Sequence, residues 1–223
     1  MPYFGYARQD RKDQPRAPIS AKLVANLITV AGADRALCMD LHSAQIQGFF
    51  DIPFDHLYAA PVLIDYFAHK NIRDLVVMAP DVGGVKMARA YAKRLGADLA
   101  LADKRRPRPD AVEIMNIIGD VKGRNAVLFD DVVTTASTLC QAAEAVRAAG
   151  ARDIYAGVTH GVLSGSAHER IARSPIKELV VTDTVQHDHG ALPPRVTELS
   201  VAGLLGEAVQ RIHEERSLSS LFV

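Results

Sequence analysis

The stretch Ala126-Val-Leu-Phe-Asp-Asp-Val-Val-Thr-Thr-Ala-Ser-Thr-Leu139 decides the fold. An apolar run, Ala126 to Phe129, stops at two adjacent carboxylates, Asp130 and Asp131. Thr134, Thr135, Ala136, Ser137 and Thr138 then lead into a helical pattern. An apolar strand delivering polar groups at its carboxyl end, followed by a helix start, marks a ligand position in an open α/β sheet. Backbone N–H groups at that helix start suit a phosphate, and the hydroxyls add donors. Two carboxylates beside them can accept hydrogen bonds from the vicinal hydroxyls of a sugar. The chemistry suggested is recognition of a phosphorylated ribose.

Outward from this stretch, strand-like and helix-like segments alternate, which predicts a parallel sheet flanked by helices. Ser20–Ala31 reads as a helix stopped by Gly32, and Ala36–Met39 as a short strand leading into Asp40-Leu-His42. Pro61–Ala68 is a predicted helix, and Leu75–Ala79 a buried strand followed by Pro80-Asp-Val-Gly-Gly84. A helix over 85–95 stops at Gly96, and Leu99–Ala102 is a strand. Lys104–Asp110 reads as a basic, proline-punctuated loop. Strands are expected at Glu113–Ile118, Asn125–Phe129, Ile154–Val158 and Leu179–Val181, with helices at 138–149 and Val201–Glu215. No low-complexity segment or convincing repeat interrupts the pattern.

Composition bounds the rest. The chain has 223 residues, long enough for one large or two small domains. Its formal net charge is zero, so no bulk field attracts nucleic acid or an anionic membrane. No uncharged apolar run reaches the roughly 18 residues of a membrane span, and Met1–Asp10 has no apolar segment of signal-peptide length. Cys38 and Cys140 sit in apolar patterns without metal-ligand spacing and read as reduced core thiols of a cytoplasmic protein.

Four polar clusters fall after predicted strands: Asp40 with His42, Asp81 with Gly83 and Gly84, Lys104 to Arg106, and Asp130 with Asp131. Taken singly, three have plainer readings. His42 reads as a structural hydrogen-bonding histidine, Asp81 as a helix cap and Lys104-Arg-Arg106 as a solvated loop. The acidic pair is more specific, because core packing gives no reason to bury it. Parallel strands bring their carboxyl ends to one rim, and that joint placement turns the reading towards a ligand site. Carboxylates and an imidazole near a phosphate call for a divalent cation, since the anions otherwise repel. Mg²⁺ fits, because it takes one or two protein ligands plus waters and phosphate oxygens. His42 and Asp81 are the candidates to hold it.

Several longer segments carry a family resemblance. Met1-Pro-Tyr-Phe-Gly-Tyr-Ala-Arg-Gln-Asp-Arg-Lys12, Asp40-Leu-His-Ser-Ala-Gln-Ile-Gln-Gly-Phe-Phe-Asp51, Pro80-Asp-Val-Gly-Gly84, Thr159-His-Gly-Val-Leu-Ser-Gly165 and Ser217-Leu-Ser-Ser-Leu-Phe222 resemble ribose-phosphate pyrophosphokinase, the synthase of phosphoribosyl diphosphate (PRPP). The resemblance spans essentially the whole chain. It implies phosphoribosyltransferase-type (type I) α/β architecture and diphosphoryl transfer from Mg-ATP to ribose 5-phosphate, with AMP leaving. By motif, Arg8, Gln9, Asp10 and His42 would contact ATP, and His42 and Asp81 would organise Mg²⁺. Lys104 and Arg106 would stabilise the phosphates in flight. Asp130 and Asp131 would hold the ribose hydroxyls, and Thr134 to Thr138 would cradle the 5-phosphate. Family members assemble as dimers and commonly hexamers, so a homo-oligomer is implied.

Two kinds of departure accompany the resemblance. The family loop usually has Asp where this chain has Thr134, and often Gly where it has Ser137, whose Cβ stands where backbone should approach ligand. Family proteins also carry most of a first domain ahead of the Pro2-Tyr-Phe segment. The expectation is therefore one complete domain, residues 58–205, plus a remnant of a similar one, residues 1–57, with about 206–223 packed on it. Such a remnant should expose Leu23, Leu27 and Ile28. Impaired activity is one consequence, and a non-catalytic subunit that regulates an active synthase is the alternative reading. A phosphoribosyltransferase that consumes PRPP is disfavoured by Arg8-Gln-Asp10 and Asp40-Leu-His42.

Overall fold

The computed structural model describes residues 1–12, 14–105, 114–187 and 192–222. The chain divides into two compact units, Met1–Ala59 with Val201–Val223, and Ala60–Ser200.

In the first unit, α1 (Ser20–Val30) buries Ala21 and Ala25. A short parallel pair, β1 (Ala36–Met39) and β2 (Phe54–Leu57), runs Ala36 beside Phe54 through Met39 beside Leu57. A 3-10 helix over Ala44–Phe49 joins them and buries Ile46. Phe4, Cys38, Ile46 and Phe50 share one core, with the Phe4 and Phe50 rings 5.8 Å apart.

The second unit is a seven-stranded sheet flanked by helices. Along the chain come α2 (Ala60–His69), β3 (Leu75–Ala79), α3 (Val85–Leu95), β4 (Asp98–Arg105), β5 (Ile114–Ile118), β6 (Asn125–Val133), α4 (Ser137–Ala148), β7 (Ile154–Gly161), α5 (Ala167–Arg173), β8 (Ile176–Thr182) and β9 (Val196–Leu199). The strand order is β5-β4-β3-β6-β7-β8-β9. All neighbours run parallel except β4 and β5, which pair antiparallel. The last helix, α6 (Ala202–His213), belongs to the first unit.

Period-two burial sorts β6 between two cores. Ala126 and Leu128 join the cluster formed with Leu139, Cys140, Ala143 and Val146 of α4. Phe129 turns to the opposite face, 4.0 Å from the Tyr91 ring of α3 and 5.4 Å from that of Phe67 on α2. The right-handed rule for parallel crossovers accounts for this split, since β3-α3-β4 and β6-α4-β7 proceed in opposite directions along the sheet. The order therefore reverses between β3 and β6.

The expected parallel α/β sheet is present, with three differences from the sequence reading. The strands β4, β6 and β7 run further than their apolar cores. The basic segment begins inside β4, where Lys104 and Arg105 pair with Met115 and Ile114, so it is not all loop. Strands β2 and β9 and helix α5 were not anticipated. Both cysteines are free and buried. Among the described residues no helix is long and apolar enough to cross a membrane.

Candidate active site

Asp81 follows β3, and Asp130 and Asp131 lie near the end of β6, so all three stand at the carboxyl ends of the two strands flanking the order reversal. Open α/β sheets bind ligands at such a point. Burial, then the Asp131 carboxylate and its hydrogen bond, then the Asp81 charge hold Asp130 well above the usual carboxylate range. The Asp131 N–H offsets part of this by donating to Asp130 Oδ1 at 2.9 Å. The sheet thus brings the carboxylates of Asp81, Asp130 and Asp131 into one cluster, where they disfavour ionisation of Asp130.

The plainer reading of Asp81 as a helix cap is not met, since the N-cap of α3 is Gly84 and no side chain caps the helix there. The Asp81 Oδ1 instead accepts from the Gly84 N–H at 3.0 Å, closing the turn ahead of α3. A Cβ on Gly83 would lie 3.2 Å from that same oxygen, a tight contact. That turn bond uses one carboxylate oxygen, and the group has a second.

Between β6 and α4 the chain turns sharply at Ala136, with φ 58°. The residue with left-handed backbone is therefore Ala136, and Ser137 is already the first residue of the helix. Thr135 is exposed, while Thr134, Ser137 and Thr138 are half-buried. Deep beside the ends of β7 and β8, the His160 ring pairs through Nδ1 with Thr184 Oγ1 at 2.9 Å. Thr182 donates to the Thr159 carbonyl at 2.7 Å, which fixes the end of β7 against β8. Nothing local in the sequence announces this group.

The first unit carries Arg8, Gln9, Asp10, Asp40 and His42. Arg8 and Gln9 are exposed above a turn anchored by buried Phe4 and Ala7, and the Gln9 carbonyl accepts from the Ala21 N–H at 3.2 Å. Asp40 is buried with φ 36°, and its Oδ2 accepts from the Ala59 N–H at 2.9 Å. The Leu41 N–H donates to His56 Nε2 at 2.9 Å. Burial pushes the His56 imidazole down to about 4, so the ring is neutral and its proton belongs on Nδ1. Buried Asp40 and His56 thus hold the turn that presents exposed His42, a support absent from the sequence reading. Lys104 has its backbone in β4, and Arg106 lies outside the described residues.

Among the described residues no three His, Cys, Asp or Glu side chains form a metal cage. A cation needing only one or two protein ligands plus waters and phosphate oxygens requires no such cage.

Fold and site define an open-sheet α/β protein with acidic groups and a helix start gathered at its strand-order reversal. The phosphoribosyl synthetase-associated domain matches residues 103–223, and the N-terminal domain of ribose phosphate pyrophosphokinase matches residues 1–32. A ribose-phosphate pyrophosphokinase of Chlorobaculum tepidum is 55% identical over the whole chain, which covers 69% of that relative. One from Synechococcus elongatus is 57% identical, with 68% of it covered. The crystal structure of phosphoribosylpyrophosphate synthetase from Mycobacterium smegmatis superimposes with TM-score 0.89 at 40% identity, over 96% of this chain and 70% of that one. The chain belongs to the ribose-phosphate pyrophosphokinase family.

Proposed function

We propose that this chain transfers the diphosphoryl group of Mg-ATP to the anomeric hydroxyl of ribose 5-phosphate, giving PRPP and AMP. The observation that carries the proposal is the carboxylate cluster of Asp81, Asp130 and Asp131 beside the Thr134–Thr138 turn, at the strand-order reversal. In this reading the sugar oxygen forms a bond to the β-phosphorus. The bond from that phosphorus to the α–β bridging oxygen breaks, and the hydroxyl proton is lost.

Asp130 and Asp131 accept hydrogen bonds from the ribose hydroxyls, and the turn over Thr134, Thr135, Ala136, Ser137 and Thr138 receives the 5-phosphate at a helix start. Arg8, Gln9, Asp10 and His42 contact the nucleotide. His42 and Asp81 would hold Mg²⁺, which when bound would neutralise phosphate charge. Lys104 and Arg106 supply positive charge to the phosphates in the transition state. Such a reaction needs positioning and charge neutralisation more than a covalent nucleophile. The ATP- and ribose-phosphate-binding assembly is proposed to be a homo-oligomer in the cytoplasm.

Incubation with ATP, Mg²⁺ and ribose 5-phosphate should yield AMP and PRPP in equal amounts. Product formed only after adding a full-length relative would favour the regulatory-subunit reading instead. Pyrophosphate release from PRPP and a nucleobase would overturn both.

A further inference from the structure

Three successive carbonyls leading into the turn are each held by a donor from the segment after β7. Val133 O accepts from the Leu163 N–H at 3.1 Å, and Thr134 O from the Ser164 N–H at 2.9 Å. Thr135 O accepts from Arg170 Nη1 at 2.7 Å. Among the described residues no peptide bond is cis, so the C=O and N–H of each of these peptides point in opposite directions. The N–H groups of Thr134, Thr135 and Ala136 are therefore each directed away from the donor on their own peptide.

Of these three bonds, only the one on the Thr135–Ala136 peptide comes from a side chain. It is also the one next to the left-handed residue, Ala136, a conformation disfavoured for a residue with a Cβ. A charged donor makes a stronger bond than a neutral one and polarises the peptide it engages, which strengthens the N–H on the far side. Arg170 itself is exposed, so its position rests on its helix. That helix, α5, is anchored by Ala167 and Ile171, both fully buried.

We infer that Arg170 is a positioning residue for the phosphate turn: its bond to the Thr135 carbonyl locks the Thr135–Ala136 peptide with the Ala136 N–H turned towards the anion. The inference rests on the reading of Thr134–Thr138 as the phosphate cradle. Arg170 acts through that peptide, with no contact to substrate required.

The test measures ribose 5-phosphate and ATP affinities by calorimetry for the wild type, Arg170→Ala, Arg170→Gln and Asp131→Ala. Both Arg170 variants should bind ribose 5-phosphate roughly tenfold more weakly, the loss of one charged hydrogen bond, with ATP affinity unchanged. Low millimolar guanidinium should restore part of the lost affinity in Arg170→Ala, which a general structural defect would not allow. Arg170→Gln keeps much of the side-chain stem and carries the test should Arg170→Ala melt early. If Asp131→Ala loses ribose 5-phosphate and the Arg170 variants do not, the positioning role is wrong and the site reading stands. Equal losses for both ligands without guanidinium rescue would also remove the positioning role. A wild type that does not bind ribose 5-phosphate removes the site reading and this inference together.

Discussion

Asp130 concentrates the tension in the candidate site. Burial first, then Asp131, then Asp81 disfavour its ionised form, so its folded pKa stands above the unfolded value of 3.8. A carboxyl raised in this way contributes stability that is full below the unfolded value and is lost as pH rises through the folded one. Asp130→Asn should therefore raise the melting temperature of the ligand-free protein at mildly alkaline pH. The gain should vanish in acid, where the wild-type carboxyl is protonated in both states. Calorimetric scans at the two pH values check this, and a pH-independent difference would mean that packing, not charge, is responsible. In the proposed function, hydroxyl donors and a cation would relieve the same tension. Asp131→Ala should accordingly weaken ribose 5-phosphate binding by about 1.5–3 kcal/mol for each charged hydrogen bond removed. A calorimetric affinity equal to wild type would take Asp131 out of the sugar contact.

Strand β6 shows what a single element must reconcile. Its first half is packed on both faces, and its second half carries the acidic pair while still pairing with β7, Asp130 beside Val158 and Val132 beside His160. Phe129, the last residue before the acids, pairs with Gly157, and any Cβ there would come within 2.6 Å of the Phe129 ring and 2.9 Å of Phe67. Gly157→Ala should destabilise the protein by about 1–3 kcal/mol through overpacking. Phe129→Leu should recover part of that loss in a double-mutant cycle read by denaturant unfolding; strictly additive losses would place the strain elsewhere. The apolar half of β6 was legible, since four buried residues in a row need no partner information. Its polar half was not, because ladder hydrogen bonds are made by backbone and continue past the point where side chains turn polar. The antiparallel direction of β5 was hidden for the same reason, as side-chain pattern does not encode strand direction. Gly96 stopped α3 as read, with φ 61° at the expected position. The acidic pair, Asp81 and the small-residue turn stood out because each interrupts an apolar pattern locally. Arg170 and His56 did not, since their contacts reach across 35 and 15 residues and leave no local mark.

Across the whole molecule, the two units differ in how completely they cover their apolar surface. Residues 60–200 bury both faces of the central strands β3, β6 and β7. The other unit has only β1 and β2 as described strands, and α1 packs Ala21 and Ala25 inward. Its outward stripe, Leu23, Leu27 and Val30, is 57%, 58% and 85% exposed, and follows the i, i+4, i+7 spacing of one helix face. Ile28, expected to share that exposure, instead packs half-buried against the Phe4 core. Zero formal net charge adds no long-range repulsion to keep such stripes apart. The isolated chain should therefore bind a hydrophobic dye such as ANS in its native state. Leu27→Lys combined with Val30→Lys should reduce that fluorescence while leaving the melting temperature within about a degree, because exposed positions away from the core rarely change stability by more than ~0.5 kcal/mol. A fall of several degrees would show that the stripe supports the fold of its own unit, and unchanged fluorescence would place the dye site on another surface.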